Sequence, residues 1–167
     1  MAGMLARLFV HLSTGDARGR FPAADLQRIA AEIASGETRH RGEVCFAVEG
    51  ALGLGAVMRG VQARDRAVDA FARLRVWDTA RNNGVLVYLL LADHRIEIVA
   101  DRGLAGRVSD EQWRGVCLLM EGRLRAGEHA EAVIDGIRAA SDLLAEHFPD
   151  VPGATDEDEL PNQPVFL

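Results

Sequence analysis

The chain has 167 residues and a formal net charge of −6, and all 19 of its basic residues are arginines. The absence of lysine excludes Schiff-base chemistry and the P-loop lysine of nucleotide hydrolysis, so no nucleotide cofactor is expected. Five of the 25 acidic residues lie in the segment 150–167, which leaves 20 acidic against 19 basic residues in the segment 1–149. A body so close to neutral is not typical of nucleic-acid-binding proteins.

The N-terminal segment is apolar but short. Arg7 interrupts the run from Met1 to Leu12, and no small-residue cleavage site follows it, so neither a signal peptide nor a membrane span is predicted. Cys45 and Cys117 lie in apolar runs and are expected to be buried free thiols. Free thiols suit a reducing compartment, and a cytoplasmic protein is therefore expected.

Apolar periodicity predicts three helices and one strand in the first half of the chain. The helices are predicted over 4–12, 22–36 and 62–75, and the strand over Glu43–Glu49. One face of the first helix is apolar and is formed by Met4, Leu5, Leu8, Phe9 and Leu12. His11 is expected at the surface. The segment 50–60 contains four glycines and is expected to be a loop or a bent connection.

The second half begins with the apolar segment 85–91, which predicts a strand buried on both faces. A tight turn leads into a returning strand over 95–100. Ser109-Asp110-Glu111-Gln112 has the pattern of a capping box and predicts the start of a helix, and a last helix is expected to end at Pro149. Residues 1–149, with an N-terminal helix and loop over 1–20, are expected to form one domain, and the acidic segment 150–167 a mobile tail.

This order of elements predicts an α/β fold with a small mixed sheet flanked by helices. The crossover helix makes strands 43–49 and 85–91 parallel, and the tight turn makes strand 95–100 antiparallel to strand 85–91. The starts of the two parallel strands and the end of the third strand therefore share one edge of the sheet, which we call the rim. The rim contains Glu37, His40, Glu43, Asp78, Arg81, Asn82, Asn83, Gly84, Asp101, Arg102 and Gly103.

The rim is rich in carboxylate and amide oxygens, which are the ligands that hard cations prefer. Four carboxylates are the candidate ligands of a divalent cation, calcium or magnesium: Glu37, Glu43, Asp78 and Asp101. The other rim residues are candidate ligand-binding groups, and the two arginines could pair with acids or hold an anion. The same residue types also build ordinary turns and helix caps, so that interpretation stays open.

At these residues the chain resembles the TPM domain family. The resemblance runs from about Pro22 to Phe148. It rests on the acidic segment 37–43, the run Asn83-Gly84-Val85-Leu86-Val87-Tyr88-Leu89, the hairpin, and Ile98-Val99-Ala100-Asp101-Arg102-Gly103. The Trp77-Asp78-Thr79 loop and Glu159-Leu160-Pro161 are similar to a bacterial subgroup that consists of a single such domain.

The resemblance implies an α/β/α sandwich with a carboxylate-lined cleft, calcium binding in some members, and acid phosphatase activity in others. This chain departs from the family in two respects. Many members are exported or membrane-anchored, and many carry an acid just before the Asn-Gly pair, where this chain has Arg81 and Asn82. Losing a negative ligand weakens a calcium site.

Cys117 and Arg123 match the Cys-x5-Arg spacing of cysteine phosphatases. That chemistry needs a thiolate in an anion-binding loop, whereas Cys117 shares a helical stripe with Trp113 and Met120 and is interpreted as a core residue.

Two functional hypotheses stay open. The first is a non-catalytic module that binds a protein partner or other ligand through the rim or the tail. The second is a metal-assisted hydrolase acting on a small phosphoester.

Overall fold

The computed structural model describes residues 2–151 and 159–167, which form six α-helices and four strands. The helices are α1 (Ala2–Ser13), α2 (Ala23–Glu37), α3 (Leu54–Met58), α4 (Ala63–Arg73), α5 (Asp110–Arg125) and α6 (His129–His147). The strands are β1 (Glu43–Glu49), β2 (Gly84–Leu90), β3 (Arg95–Ala100) and β4 (Val165–Phe166). Short 3-10 helices lie at Ala17–Arg20 and Arg102–Leu104.

The four strands form one mixed sheet in the order β3-β2-β1-β4. β1 and β2 are parallel with Glu43 opposite Gly84, and β2 and β3 are antiparallel with Val85 opposite Ala100. The predicted pairing of these three strands is confirmed. β4 adds to the other side of β1 in a parallel orientation, with Val165 opposite Ala47.

Both central strands are buried along their whole length, which is why their sequences are nearly continuous apolar runs. Alternate residues of β1 and β2 enter two separate apolar clusters, one on each face of the sheet. α2, α5 and α6 cover the first face, and α3 and α4 cover the second. The fold is therefore an α/β/α sandwich over a small mixed sheet, as predicted.

Local signals set several helix boundaries. The Ser109 hydroxyl accepts a hydrogen bond from the Gln112 N–H at 3.2 Å, and the Gln112 side chain accepts one from the Ser109 N–H at 2.9 Å. This reciprocal pair is the predicted capping box at the start of α5. The segment 50–60, expected to be a loop or a bent connection, contains the short helix α3, whose Val57 is buried in the same apolar cluster as Leu52.

The N-terminal helix faces the body of the protein with its polar side, and the expectation for His11 is wrong. Leu8 packs against the body of the protein, but Leu5 and Phe9 of the same predicted face point to solvent, 68% and 71% exposed. His11, expected at the surface, is 4% exposed. The polar stripe of α1, with Arg7 and His11, is turned inward because it hydrogen-bonds to Asp93.

The prediction of a mobile tail over 150–167 is corrected at its C-terminal half. Leu160 is 7% exposed within the α3–α4 cluster, and β4 forms an outer strand of the sheet. The acidic composition of the segment favours a mobile tail, but the apolar side chains of Leu160, Val165 and Phe166 pack against the core. The acids Asp156, Glu157 and Asp158 lie outside the described residues.

Within residues 2–151 and 159–167, we find no helix with the length and hydrophobicity required to cross a lipid bilayer.

Candidate functional site

The loop before β2 is held by short-range hydrogen bonds. The Thr79 hydroxyl accepts a hydrogen bond from the Asn83 N–H at 3.1 Å, and the Thr79 carbonyl accepts one from the Asn82 N–H at 3.1 Å. Asn82 adopts a left-handed backbone with φ of 53°, which asparagine tolerates better than most residues. A Cβ atom on Gly84 would lie 2.0 Å from the Val76 carbonyl oxygen, so only glycine fits there.

The loop after β3 is joined to this first loop. The Gly103 N–H donates to the Asn82 carbonyl at 2.8 Å, and the Arg102 Nε–H donates to the Asn82 side-chain oxygen at 2.9 Å. A Cβ atom on Gly103 would lie 2.4 Å from the Asn82 carbonyl oxygen. The predicted meeting of the two segments at one edge of the sheet is confirmed, and their role in binding stays a prediction.

The start of β1 reaches the same edge through Asn83. The Asn83 side-chain amide donates to the Arg41 carbonyl, and the Asn83 carbonyl accepts a hydrogen bond from the Glu43 N–H at 3.3 Å. Asn83 is 2% exposed and Glu43 is 5% exposed. Three distant segments are therefore assembled at the rim, but these two side chains lie inside it rather than on its surface.

The C-terminal segment closes over part of the rim. One carboxylate oxygen of Glu43 accepts hydrogen bonds from the N–H groups of Glu159 and Leu160, each at 3.3 Å. The Glu159 carboxylate in turn accepts from the Ala80 N–H at 3.0 and 3.1 Å. Periodicity and composition did not predict this contact, although the apolar residues that follow Glu159 are the signal that could have found it.

The remaining rim residues have separate surroundings. The Glu37 carboxylate accepts from the Val44 N–H at 3.4 Å. His40 is 1% exposed, and its Nδ1 accepts from the Gly42 N–H at 3.3 Å. Asp78 is exposed and forms an ion pair with Arg75, three residues earlier. Arg81 is exposed at the tip of the loop.

A groove of about 710 Å³ runs along the outer edge of β3, between α4 and α5. We call it the β3 groove. Its lining includes four arginines (Arg64, Arg95, Arg102, Arg114), five acids (Glu97, Asp101, Asp110, Glu111, Glu121), and the side chains of Trp113 and Cys117. Two ion pairs lie in this lining. The Arg64 guanidinium is 3.7 Å from the Glu97 carboxylate, and the Arg95 guanidinium is 3.6 Å from the Glu121 carboxylate. The groove meets the rim at Asp101 and Arg102.

Side chains cover outward-facing backbone groups of this edge strand. The Glu121 carboxylate accepts a hydrogen bond from the Ile96 N–H at 3.4 Å, and Arg64 donates to the Ile98 carbonyl at 2.5 Å. Covering an edge strand in this way protects it from uncontrolled pairing with other chains. The lining of the β3 groove is thus part of the fold as well as a surface for ligands.

Cys117 lies in the groove wall but is not poised as a nucleophile. Burial, together with the nearby Glu97 and Glu121 carboxylates, raises the pKa of its thiol to about 11. A thiol with that pKa is protonated at neutral pH, and the thiolate is the reactive form. The interpretation of Cys117 as a packing residue rather than a phosphatase nucleophile is supported by this environment.

Asp101 is a rim residue with capacity left for a ligand, and it lies in the wall of the groove. Its Oδ1 accepts a hydrogen bond from the Arg102 N–H at 2.7 Å, which caps the 3-10 helix that follows. Its Oδ2 is buried, and no group among the described residues hydrogen-bonds to it. Buried polar atoms are rarely left in that state. Asp101 also lines the β3 groove, so its carboxyl group lies where the groove and the rim join.

Comparisons with known proteins identify the fold family. Residues 15–143 match the family described as the TPM domain. The chain belongs to the TPM domain family. The NMR structure of the BA42 protein from the psychrophilic bacterium Bizionia argentinensis is similar to this TPM domain, with 29% identity and a TM-score of 0.76, covering 87% of this chain and 94% of that one.

A second solved structure shows the fold alone. It is the N-terminal domain of a protein from P. gingivalis, 20% identical with a TM-score of 0.64, covering 81% of this chain and 85% of that one. No curated protein matches this chain.

The calcium site implied by the family resemblance does not fit this TPM domain as a preformed centre. Among residues 2–151 and 159–167, no three His, Cys, Asp or Glu side chains are placed to hold one metal ion. Three of the four predicted ligands are also engaged separately, with Glu37 and Glu43 on backbone N–H groups and Asp78 on an arginine. Calcium takes six to eight oxygen ligands, which this arrangement does not gather.

At the opposite end of the sheet, the TPM domain has a buried polar network that the sequence analysis missed. The Tyr88 hydroxyl donates to the Glu49 carboxylate at 2.6 Å, and Arg66 donates to the same carboxylate at 2.9 Å. Burial raises the pKa of Tyr88, and the hydrogen bond to Glu49 adds to that rise. Glu49 and Tyr88 are buried, so the network is structural.

Proposed function

We propose that this TPM domain is a ligand-binding module whose site is the β3 groove, and that the Asp101 carboxylate receives a cationic group of the ligand. One observation carries the proposal. Asp101 lies at the junction of groove and rim, its Oδ2 atom is buried, and no described residue donates a hydrogen bond to that atom. An unpaired buried acceptor costs about 1–3 kcal/mol, and more when it is charged, so a donor from a ligand would be favourable.

The carboxylate is fixed before any ligand arrives. Its other oxygen is held by the Arg102 N–H at 2.7 Å, and Arg102 itself is tied to Asn82 at 2.9 Å. A group that is already oriented loses little conformational freedom on binding. The glycine at position 103, where a side chain would meet the Asn82 carbonyl, keeps the two loops close enough for these contacts.

The rest of the groove favours a ligand with both polar and apolar parts. Trp113 offers an aromatic side chain that is largely buried, and Glu97 and Arg64 form an ion pair beside β3. The cationic group can come from a partner chain, as an ammonium or guanidinium, or it can be a divalent cation. Both place positive charge against Asp101, and the experiment below distinguishes them.

The test follows backbone amide chemical shifts of the full chain during separate titrations with calcium chloride, magnesium chloride and an acetylated arginine-containing tetrapeptide. We expect at least one titrant to shift the amides of Asp101 and of the groove-facing part of α5. Asp101→Asn should abolish those shifts, and Asp78→Asn should leave them unchanged, because Asp78 is exposed and paired with Arg75. Saturation by a metal salt identifies a cation site, and saturation by the peptide identifies a partner site.

The same samples address hydrolysis. Metal-assisted phosphoester cleavage needs an ion that activates water. We expect no turnover of p-nitrophenyl phosphate above the protein-free rate with either salt present. Turnover that requires a metal and disappears in Asp101→Asn would replace the binding proposal by the hydrolase hypothesis. If none of the three titrants moves the groove amides, the proposal is wrong.

A further inference from the structure

Helix α1 turns its most apolar stripe away from the body of the protein. Leu5, Phe9 and Leu12 are 68%, 71% and 65% exposed. Spacings of four and three residues place them on one side of the helix. A surface helix normally buries such a stripe and exposes the polar one, so the arrangement in α1 is inverted.

The inversion is fixed by hydrogen bonds on the opposite side of the helix. Arg7 donates to the Asp93 carboxylate at 2.7 and 3.1 Å and to the Val61 carbonyl at 2.8 Å. His11 Nε2 lies 3.0 Å from the same carboxylate, and His11 Nδ1 accepts from the Leu52 N–H at 3.0 Å. The accepted bond at Nδ1 places the proton of neutral His11 on Nε2. These contacts prevent α1 from rolling to bury its apolar stripe.

Helix α3, which contacts α1, also exposes apolar side chains. Leu54 and Met58, one helical turn apart, are 46% and 65% exposed. We call the combined surface the α1–α3 face, formed by Met4, Leu5, Phe9, Leu12, Leu54 and Met58. Its exposed apolar side chains offer roughly 700 Å², against about 300–600 Å² for the largest apolar patch of a typical monomer.

We infer that the α1–α3 face is the interface of a homodimer. One partner of a standard protein interface buries about 800 Å², close to what this face offers. A straight apolar stripe is self-complementary when two copies pair in antiparallel order about a two-fold axis, with the Phe9 side chains near the axis. Each subunit then covers the stripe of the other.

The charge pattern favours a second copy over a lipid surface. Helices that lie on membranes carry basic residues that attract anionic lipids. Arg7 is the one formally charged residue of α1, and it is engaged with Asp93. The whole chain has a net charge of −6, which opposes binding to an anionic bilayer. The dimer inference is independent of the proposed function, because neither Leu5 nor Phe9 lines the β3 groove.

The test measures the mass of the full chain by light scattering and sedimentation velocity over a wide range of protein concentrations. We expect a mass twice the 18.1 kDa of the chain at high concentration, with dissociation on dilution. Phe9→Glu should raise the dimer dissociation constant at least about thirtyfold, the effect of losing a central apolar anchor. Leu119→Glu, which changes a leucine 46% exposed on α5, should leave the mass unchanged.

Three results would overturn the inference. They are a wild-type chain that stays monomeric at every concentration, a Phe9→Glu variant that dimerises as well as the wild type, and a monomer that co-sediments with phosphatidylcholine or phosphatidylserine vesicles. Circular dichroism shows whether each variant is folded. If Phe9→Glu does not fold, the milder pair Leu5→Ser and Met58→Ser takes its place, with the same expected loss of dimer.

Discussion

Replacing Leu160 by alanine tests whether the C-terminal segment is an integral part of this TPM domain. Leu160 is 7% exposed and belongs to the apolar cluster between the sheet and helices α3 and α4, which also contains Val76. The change removes three carbon atoms, and at about 0.8 kcal/mol for each the loss of burial is near 2.4 kcal/mol. A cavity adds to this loss, while collapse of a peripheral segment reduces it, so we expect destabilisation of about 2–3 kcal/mol.

The assay is urea unfolding followed by circular dichroism, with the slope m as a check on two-state behaviour. Val151→Ala is the matched control, because this valine is 47% exposed, and we expect its effect to stay within about 0.5 kcal/mol. A Leu160→Ala variant as stable as the control would refute the packing of residues 159–167 against the sheet. It would also restore the expectation of a mobile tail.

Four further substitutions test the packing and electrostatics. Gly84→Ala should lower the free energy of unfolding in urea by about 3 kcal/mol or more, because the new methyl group would overlap the Val76 carbonyl oxygen. Gly115→Ala lies in open space within α5 and should stabilise the protein by up to about 1 kcal/mol. Equal urea midpoints for the two variants would contradict this account. Tyr88→Phe removes the 2.6 Å hydrogen bond to Glu49 and should cost about 1–3 kcal/mol, so an unchanged melt would argue against the network. Burial alone would raise the pKa of Asp93, but hydrogen bonds from the arginine and histidine of α1 outweigh it and hold the pKa below its ordinary value. The stability it contributes is therefore present above the unfolded pKa of about 4 and is lost as pH falls through the lower folded value, so Asp93→Asn should flatten the acid side of the stability–pH curve.

The strands and their pairing could be predicted because their signals are local. β1 and β2 are buried on both faces, and a strand in that position has a nearly continuous apolar sequence. The crossover helix and the tight turn then determine the directions of the strands, and the directions determine which loops share an edge. For this reason the meeting of the two segments that contain Asn82 and Gly103 could be predicted from topology, although the hydrogen bond between these residues could not.

The partner of each rim carboxylate could not be predicted, because long-range packing decides it. Glu43 is engaged by the N–H groups of Glu159 and Leu160, more than a hundred residues away. Asp78 forms an ion pair with Arg75, and Arg75 has a left-handed backbone conformation that could not be predicted from the sequence. A set of acids that composition and topology place near one edge is therefore not yet a metal centre.

The orientation of α1 could not be predicted from the apolar periodicity, for a related reason. The apolar pattern shows that Leu5, Phe9 and Leu12 share a stripe, but it does not show which stripe faces the body. The Asp93 carboxylate decides this, since it binds Arg7 and His11 on the other side of the helix. Two specific hydrogen-bonding side chains thus outweigh the ordinary tendency of an amphipathic helix to bury its apolar side.

The central claim is that the Asp101 carboxylate at the end of the β3 groove receives a cationic group. The most direct measurement is the pair of amide-shift titrations of Asp101→Asn and Asp78→Asn with calcium chloride, magnesium chloride and the arginine-containing tetrapeptide. We predict saturable shifts beside β3 and α5 that Asp78→Asn retains and Asp101→Asn loses. Shifts of equal size in both variants, or none in the wild type, would contradict the claim.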